Sequence, residues 1–407
     1  MFSTNTLKTL ATPCYLYDTA LLARTLDAIR REVQGHDNYH VHYAIKANSN
    51  PRILRQIATA GLGADCVSGG EIKAALLAGF PASEIAFAGV GKADWEIRLA
   101  LESGIGMFNV ESIEELEVIN EIATDLKLRA RVSFRINPDV KAHTHAHITT
   151  GSAENKFGIA KEDMVKVIRM AQTMPLIDFT GLHFHIGSQL LVMDDFEELC
   201  KCINELQLEL DSEGIFAQNI NVGGGLGVDY EEPMANPIPD FKAYFSTFTQ
   251  GLQLREGQQL HFELGRAVVA QMGTLLTKVL YVKHGKQKQF VIVDAGMTEL
   301  IRPALYDAHH HIDNLSGDER MQSADPHADE QFPECPVKES EGKTFPIGTY
   351  DVVGPICESS DVFARDLVLP ETRRGDILAI RSAGAYGETM ASQYNCRPLP
   401  SARFIND

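Results

Sequence analysis

Lys46 is the residue in this sequence whose position most needs a chemical explanation. It lies in the run VHYAIKANSN from Val41 to Asn50, where apolar and polar residues alternate as in a short β-strand. An amine near the end of a buried strand must lose its hydration, and a Schiff base is the commonest reason to keep one there. The alternative is a lysine whose side chain reaches out to water. The motifs downstream favour the Schiff base.

Polar residues also close the other strands that the pattern predicts in the first two thirds of the chain. They are Asp65, Asn109, Arg135, Asn137, His183, His185, Gly223–Gly225, Glu263 and Arg266. Each alone could be an ordinary hydrogen-bonded strand end. Because the strand ends of a barrel meet at one rim, the set together predicts a shared ligand site.

A phosphate site is predicted by three small or polar features. The glycine-rich run from Gly223 to Gly227 offers backbone amides without Cβ atoms, which can approach an anion closely. Gly265, in the run Glu-x-Gly-Arg, adds a second small residue, and Ser188 adds a hydroxyl. A glycine triplet alone is more often a turn, but the three features together suit a phosphate monoester.

The elements that position these residues alternate regularly. Strand-like runs lie at 41–46, 62–67, 85–89, 105–110, 130–136, 180–186, 219–223 and 259–263, with helical patterns between most of them. Eight strands alternating with helices predict an α/β fold with a (β/α)8 TIM-like barrel. A doubly wound open sheet is the alternative, and the lack of a dinucleotide-binding glycine fingerprint after the first strand favours the closed barrel.

The chain changes character after residue 270. Runs rich in β-branched residues at 274–283, 289–294, 349–356, 361–369 and 376–381 predict a second domain that is β-rich, a β-sandwich or barrel. We expect residues 22–270 to form the barrel, and residues 1–21 and 271–407 to form the β-rich domain. The polar segment at about 307–349 is predicted to be a long loop or insertion.

Composition excludes several classes of partner. The 407 residues carry 55 acidic against 37 basic side chains, a net charge of −18, which argues against nucleic acid. No apolar run is long enough for a membrane span, and the amino terminus lacks the pattern of a signal peptide, so a cytoplasmic protein is expected.

The seven cysteines show no disulfide or zinc spacing. A metal site on His309–His311 with His327 is a minor alternative, because adjacent histidines point in different directions.

A resemblance to a known family covers nearly the whole chain, in order. The motifs that carry it are AIKAN at 44–48, HFHIGSQ at 183–189, GGGLG at 223–227, ELGR at 263–266, RPALYDA at 302–308, GPICESSD at 354–361 and AGAYGETMASQYN at 383–395. They resemble the diaminopimelate decarboxylases, which use pyridoxal 5'-phosphate (PLP). The family usually has proline where Leu264 stands here.

The resemblance implies a role for each motif residue in cofactor binding. Lys46 would form the Schiff base with PLP, His185 would stack on the ring, and Glu263 would pair with the pyridine nitrogen. Asp65 would support Lys46. The residues expected at or near the phosphate are Ser188, Gly225, Gly265, Arg266 and Tyr386.

A second group of residues is expected to recognise the substrate. Diaminopimelate carries both a carboxylate and an ammonium at its distal end, the end far from the carbon that loses CO2. Arg302 with Tyr306 suits a distal carboxylate, because a guanidinium makes two parallel bonds to it, and Glu358 suits the ammonium. Arg266 and Tyr386 are expected to contact substrate as well. The resemblance implies that Cys357 is the acid that reprotonates Cα, and that the Cys357–Glu358 pair comes from the other subunit of a homodimer with shared active sites.

The predicted function is decarboxylation of meso-2,6-diaminopimelate to L-lysine and CO2, the last step of lysine biosynthesis. One alternative is another basic amino acid decarboxylase of the same fold, specific for ornithine, arginine or carboxynorspermidine. Arg302 and Glu358 together argue against it, because a diamine-forming decarboxylase would need only an acid and an arginine would repel its cationic tail. The other alternative is a non-catalytic PLP-binding homologue, which would not need Lys46 or Cys357.

Overall fold

The structure is a computed structural model and describes residues 10–140, 156–323, 337–340 and 343–406. The chain divides into two compact units. The barrel unit comprises residues 23–228 and 238–268, and the β-rich unit comprises residues 1–22, 229–237 and 269–407. Residues 229–237 therefore interrupt the barrel sequence and group with the β-rich unit.

The barrel unit is a closed ring of parallel strands. Strand β1 (Cys14–Asp18) lies in the β-rich unit, and the ring begins at the second strand of the chain. Its eight strands in the described residues are β2 (Tyr39–Ala44), β3 (Gly63–Cys66), β4 (Ile85–Phe87), β5 (Met107–Val110), β6 (Ala130–Asn137), β8 (Ile177–His183), β9 (Asn219–Asn221) and β10 (Gln259–Leu264). The pairing of β10 with β2 closes the ring, and the predicted barrel is confirmed. The short β7 (Ile159–Ala160) pairs with β6.

Helices follow the strands along the chain. They are α1 (Thr19–Val33), α2 (Pro51–Thr59), α3 (Gly69–Ala78), α4 (Asp94–Ser103), α5 (Ile113–Leu126), α6 (Met164–Gln172), α7 (Asp194–Ser212), α8 (Phe241–Gly251) and the single-turn α9 (Arg266–Val269). The hydroxyls of Ser68 and Ser112 cap the first turns of α3 and α5. Left-handed Gly79 and Gly104 end α3 and α4. None of the helices in the described ranges has the length and apolar character to cross a membrane.

The β-branched runs predict a β-rich domain, and the described residues of this unit form one mixed sheet. Its nine strands in the described residues are β1, β11 (Gly273–His284), β12 (Gln289–Val293), β13 (Ile312–Asn314), β14 (Val337–Ser340), β15 (Lys343–Val353), β16 (Val362–Pro370), β17 (Ile377–Ile380) and β18 (Ser401–Ile405). Strand β1 pairs with β11 and β18, which ties the amino-terminal segment into this sheet. The unit also contains α10 (Arg302–Tyr306) and α11 (Leu315–Ser323).

The polar segment at 307–349 contains regular elements where the structure describes it: β13, α11, β14 and the start of β15. Helix α11 is held by polar contacts. The side-chain oxygen of Asn314 accepts the main-chain N–H of Gly317 at 2.8 Å, and Arg320 donates to both carboxylate oxygens of Asp376 at 2.7 and 2.8 Å. An apolar periodicity does not reveal a helix that is fixed in this way.

Candidate active site

Glu263, at the carboxyl end of β10, is a buried acid that three side chains contact. Asn109 from β5 and Asn221 from β9 donate to its Oε1 at 3.0 and 2.8 Å. His183 Nε2, from β8, lies 3.0 Å from its Oε2. Burial alone would raise the pKa of Glu263, but the facing His183 and the charge of Lys46 hold it below its usual value. The site therefore contains an ionised carboxylate in a dry environment.

Lys46 lies just beyond its strand. Strand β2 ends at Ala44, and Lys46 sits in the single helical turn Ile45–Ala47. Its Nζ lies 3.3 Å from Oδ2 of Asp65 on the neighbouring strand β3. The lysine side chain is 42% exposed, whereas that of Asp65 is 1% exposed.

Asp65 carries a proton more readily than an ordinary aspartate. Burial and the nearby charge of Glu263 raise its pKa to about 6, against the opposing charge of Lys46. Its Oδ1 is buried and has no hydrogen-bond partner within the described residues. A buried acceptor without a partner is costly, so this atom is suited to face a ligand.

His185 follows β8 and contacts the glycine run. Its Nδ1 accepts the main-chain N–H of Gly224 at 3.3 Å, so the proton of the neutral ring is on Nε2. Burial, with the charges of Arg135 and Lys46, lowers the pKa of His185 well below its usual value. The ring is therefore neutral near pH 7.

The glycine run is shaped by close backbone contacts. A Cβ atom on Gly224 would lie 1.9 Å from the main-chain oxygen of Glu263, so only glycine fits there. Gly223 and Gly225 have φ values of 70° and 113°, in the left-handed region. Nearby, Arg266 Nη2 donates to Ser188 Oγ at 3.1 Å. Gly265 is buried beside Arg266.

Another buried ion pair supports the same rim. Arg135 Nη1 donates to both carboxylate oxygens of Glu111, at 3.2 and 3.1 Å, and its guanidinium lies over the ring of Phe157. Glu111 also accepts the main-chain N–H groups of Gly89 at 2.9 Å and Gly158 at 3.2 Å. The pair thus fixes the backbone after β4, at Gly89, and before β7, at Gly158.

The remaining predicted residues lie in the β-rich unit. Arg302 is buried at the start of α10, and Tyr306 is half-buried at its end. Tyr386 is half-buried and has a left-handed φ of 55°. Cys357 and Glu358 are exposed.

The loop that carries Cys357 is built around a buried carboxylate. Asp361 accepts the main-chain N–H groups of Met297 at 2.6 Å and Ile356 at 2.7 Å. Tyr394 donates to Oε1 of Glu358 at 2.7 Å, and this hydrogen bond raises the pKa of Tyr394. The loop therefore presents a thiol and an oriented carboxylate to the surface of the chain.

Several of these contacts escape sequence reasoning. The strand-end pattern indicates Asn109 and His183, but not that both contact Glu263, which is 154 residues from Asn109. Asn221, immediately before the glycine run, could have been found by the same strand-end rule. Tyr394 gives no signal of its own beyond the motif around it. No group of His, Cys, Asp or Glu residues within the described ranges is arranged to hold a metal ion, and His327 lies outside those ranges.

The fold and this rim define a class of protein. A closed parallel barrel whose rim gathers a lysine, an ionised buried carboxylate and a glycine run is the architecture of the barrel-type pyridoxal-dependent decarboxylases. In agreement, residues 20–270 match the family model described as "Pyridoxal-dependent decarboxylase, pyridoxal binding domain".

Individual relatives narrow the class. The chain is 57% identical over 400 residues to diaminopimelate decarboxylase of Bacteroides thetaiotaomicron, covering 98% of this chain and 97% of that protein. It is 41% identical over 393 residues to the enzyme of Zymomonas mobilis, covering 95% and 86%. A crystal structure of Helicobacter pylori diaminopimelate decarboxylase complexed with L-lysine matches with a TM-score of 0.85 and 39% identity, covering 99% and 93%. This chain belongs to the diaminopimelate decarboxylase family.

Proposed function

We propose that the protein decarboxylates meso-2,6-diaminopimelate to L-lysine and CO2, the last step of lysine biosynthesis, with PLP as cofactor. The observation that carries the proposal is the ionised Glu263, held by Asn109, Asn221 and His183 in the same ring of strands as the Lys46–Asp65 pair. Family membership supplies the substrate.

The residues of the rim fit PLP. An ionised acid is the partner that a protonated pyridine nitrogen needs, and Glu263 is ionised. Oδ1 of Asp65, which has no hydrogen-bond partner in the described part of the chain, suits a ligand at the rim. When bound, PLP accepts the electron pair released at Cα as CO2 leaves.

Glu263 keeps the proton on the pyridine nitrogen. It does so because its two amide donors and His183 stabilise the carboxylate, which would otherwise take the proton in a buried site. His183 presents its Nε2–H, since an ionised carboxylate can only accept. Neutral His185 would stack on the cofactor ring and would add no competing charge there.

Lys46 supplies the amine that holds the cofactor aldehyde, and Asp65 positions it. Ser188, Gly225, Gly265, Arg266 and Tyr386 bind the phosphate. Arg266 and Ser188 already contact each other at 3.1 Å, so a guanidinium and a hydroxyl are ready side by side for phosphate oxygens. Arg266 and Tyr386 also reach the substrate in this proposal.

Arg302 with Tyr306 binds the distal carboxylate of the substrate, and Glu358 binds its distal ammonium. The Sγ of Cys357 delivers a proton to Cα after CO2 has left. Cys357 and Glu358 are both exposed in the single chain. This exposure suits residues that complete the site of a second copy, so we infer a homodimer with shared active sites.

The remaining features agree with a small-molecule enzyme of the cytoplasm. The net charge of −18 does not favour nucleic acid as a partner, and we propose no membrane association. The inferences about nucleic acid and about membranes do not depend on which substrate the enzyme uses.

The test is a substrate panel. The purified protein is incubated with PLP and meso-diaminopimelate, and L-lysine is measured, with ornithine, arginine and carboxynorspermidine in parallel. We expect lysine from diaminopimelate alone, and none from the Lys46→Ala variant. Release of CO2 from another substrate would overturn the roles of Arg302 and Glu358. Cofactor binding without turnover would favour a non-catalytic homologue.

A further inference from the structure

Arg302 makes a buried contact with a histidine that none of the expected roles includes. Its Nη1 lies 2.7 Å from Nε2 of His310, and both residues are buried, at 6% and 2% exposure. Arg302 is the first residue of α10, and His310 lies on the connection that runs from α10 to β13. A guanidinium has no acceptor, so the hydrogen bond runs from Arg302 to His310.

The tautomer of His310 is set by its second nitrogen. Nδ1 lies 2.8 Å from the main-chain oxygen of Arg381. A carbonyl oxygen can only accept, so Nδ1 carries the proton. Nε2 must then keep its lone pair to accept from Arg302. Both contacts are satisfied together only when His310 is neutral and protonated on Nδ1.

Tyr230 fixes the plane of the same guanidinium. The central carbon of the Arg302 guanidinium lies 4.9 Å from the centre of the Tyr230 ring, which it stacks over. The Tyr230 and His310 rings meet edge to face, with centres 5.1 Å apart. The contact with His310 occupies one of the five N–H groups of the guanidinium.

We propose that His310 is a specificity-determining positioning residue, which holds the Arg302 guanidinium in the orientation that binds the distal carboxylate of the substrate. The inference rests on the proposed function, because it assigns Arg302 to that carboxylate. Recognition of a carboxylate by two parallel hydrogen bonds needs a guanidinium whose plane is fixed beforehand. An arginine without this support would have to be ordered on binding, and affinity would fall.

Two ligands that differ by one carboxylate test the proposal. L-Lysine has the carboxylate and ammonium of the distal end, and cadaverine is the same molecule without the carboxylate. Binding of each to the PLP-loaded enzyme is measured by calorimetry, and the ratio of the two dissociation constants gives the preference for the carboxylate. We expect wild type to prefer L-lysine.

Two substitutions separate the two contacts of His310. His310→Asn places an amide where Nδ1 was, so it keeps the bond to Arg381 and the fold, but it does not reach Arg302. We expect the preference for L-lysine to fall by about tenfold or more, and KM for diaminopimelate to rise with a smaller change in kcat. His310→Gln places an acceptor where Nε2 was, and we expect it to retain most of the preference.

His309→Asn is the matched control, because His309 is half exposed and faces Glu231 at 3.3 Å instead of Arg302. If His310→Asn preferred L-lysine over cadaverine as strongly as wild type does, the proposal would be overturned. It would also be overturned if the variant bound both ligands more weakly by the same factor, which would indicate a structural role for His310. A wild-type enzyme that makes no lysine from diaminopimelate would instead overturn the proposed function, and the inference with it. Thermal unfolding of each variant verifies that it is folded.

Discussion

At the scale of single residues, the charge on Glu263 depends on neighbours from three other strands. A buried carboxylate is stable only when hydrogen bonds replace its lost hydration. Asn221 shows how specific this arrangement is, because its Nδ2 donates to Glu263 while its Oδ1 accepts the main-chain N–H of Gly223 at 2.9 Å. Asparagine satisfies both contacts at once.

Asn221→Asp should therefore change the chemistry with little change in shape. The new carboxylate keeps the bond to Gly223 but faces Glu263 across a contact that measures 2.8 Å in the wild type. Two carboxylates so close share a proton, which raises the pKa of Glu263. We expect kcat to fall by about tenfold or more. We also expect the 15N chemical shift of labelled PLP to show a less protonated pyridine nitrogen.

The matched control is Asn219→Asp, the same substitution two residues earlier on β9. Asn219 lies within hydrogen-bond distance of His261, at 3.2 Å, and has no hydrogen bond to Glu263 among the residues that the structure describes. The 15N chemical shift of labelled PLP in the Asn219→Asp variant should equal that in wild type. A normal shift in Asn221→Asp would show that the amide donor has no part in the charge of Glu263.

At the scale of secondary structure elements, the residues after β9 and the end of β10 approach each other through bare backbone. Gly224 has no room for a Cβ atom against Glu263. We expect Gly224→Ala to separate the two segments, lowering the free energy of unfolding by more than about 2 kcal/mol and weakening PLP binding. Gly91→Ala is the control, since nothing lies within 4 Å of its Cβ position, and it should change stability by less than about 0.5 kcal/mol. Urea denaturation of both variants measures the difference, and equal effects would contradict the steric argument.

Strands β2 and β10 are also joined by two buried histidines. His42 Nε2 lies 2.9 Å from His261 Nδ1, and His42 Nδ1 lies 3.1 Å from the main-chain oxygen of Glu84. Burial lowers the pKa of His42 below 6.5, and that of His261 well below 6.5, against the charge of Glu263; His40 lowers both further. Both rings are therefore neutral in the folded state near pH 7.

Because the pKa values of these two histidines are lowered in the folded state, a fall in pH destabilises the fold. Below pH 6.5 the unfolded chain binds protons on these histidines that the folded chain does not, so the folded state loses stability as pH falls. Replacing one histidine by His261→Gln should remove part of this loss, up to about 1.4 kcal/mol per pH unit. The variant must be compared with wild type, because Glu71 has a pKa raised to about 7 and therefore stabilises the folded state as pH falls. This opposite dependence of stability on pH is present in both proteins and cancels in the comparison. Denaturation between about pH 5 and 7 measures the difference, and parallel curves would refute the assignment.

At the scale of the whole molecule, the sequence predicts the strands and their order better than it predicts the individual side-chain contacts. The strand run expected at 130–136 is β6, Ala130–Asn137, and the run at 376–381 is β17, Ile377–Ile380. Alternating patterns locate such strands because burial repeats along them. The pairing of His310 with Arg302 is different, because it depends on how a loop folds back after α10. The sequence presents it only as the middle of three histidines.

The proposed homodimer gives the last prediction. In the proposed function Lys46 and Cys357 act in one site, and in a shared-site dimer they come from different chains. Lys46→Ala and Cys357→Ala should each be nearly inactive, because one lacks the cofactor amine and the other the proton donor. In a mixed dimer one site inherits both defects, while the other is intact.

Mixing the two variants under conditions that exchange subunits should therefore restore activity, to about one quarter of wild type when the chains assort at random. Each variant alone, treated in the same way, is the control. If both residues of a site came from one chain, no mixture could rebuild an intact site. Activity that stays at the level of the single variants, with exchange verified by mass spectrometry of differently tagged chains, would thus place Lys46 and Cys357 in sites within a single chain.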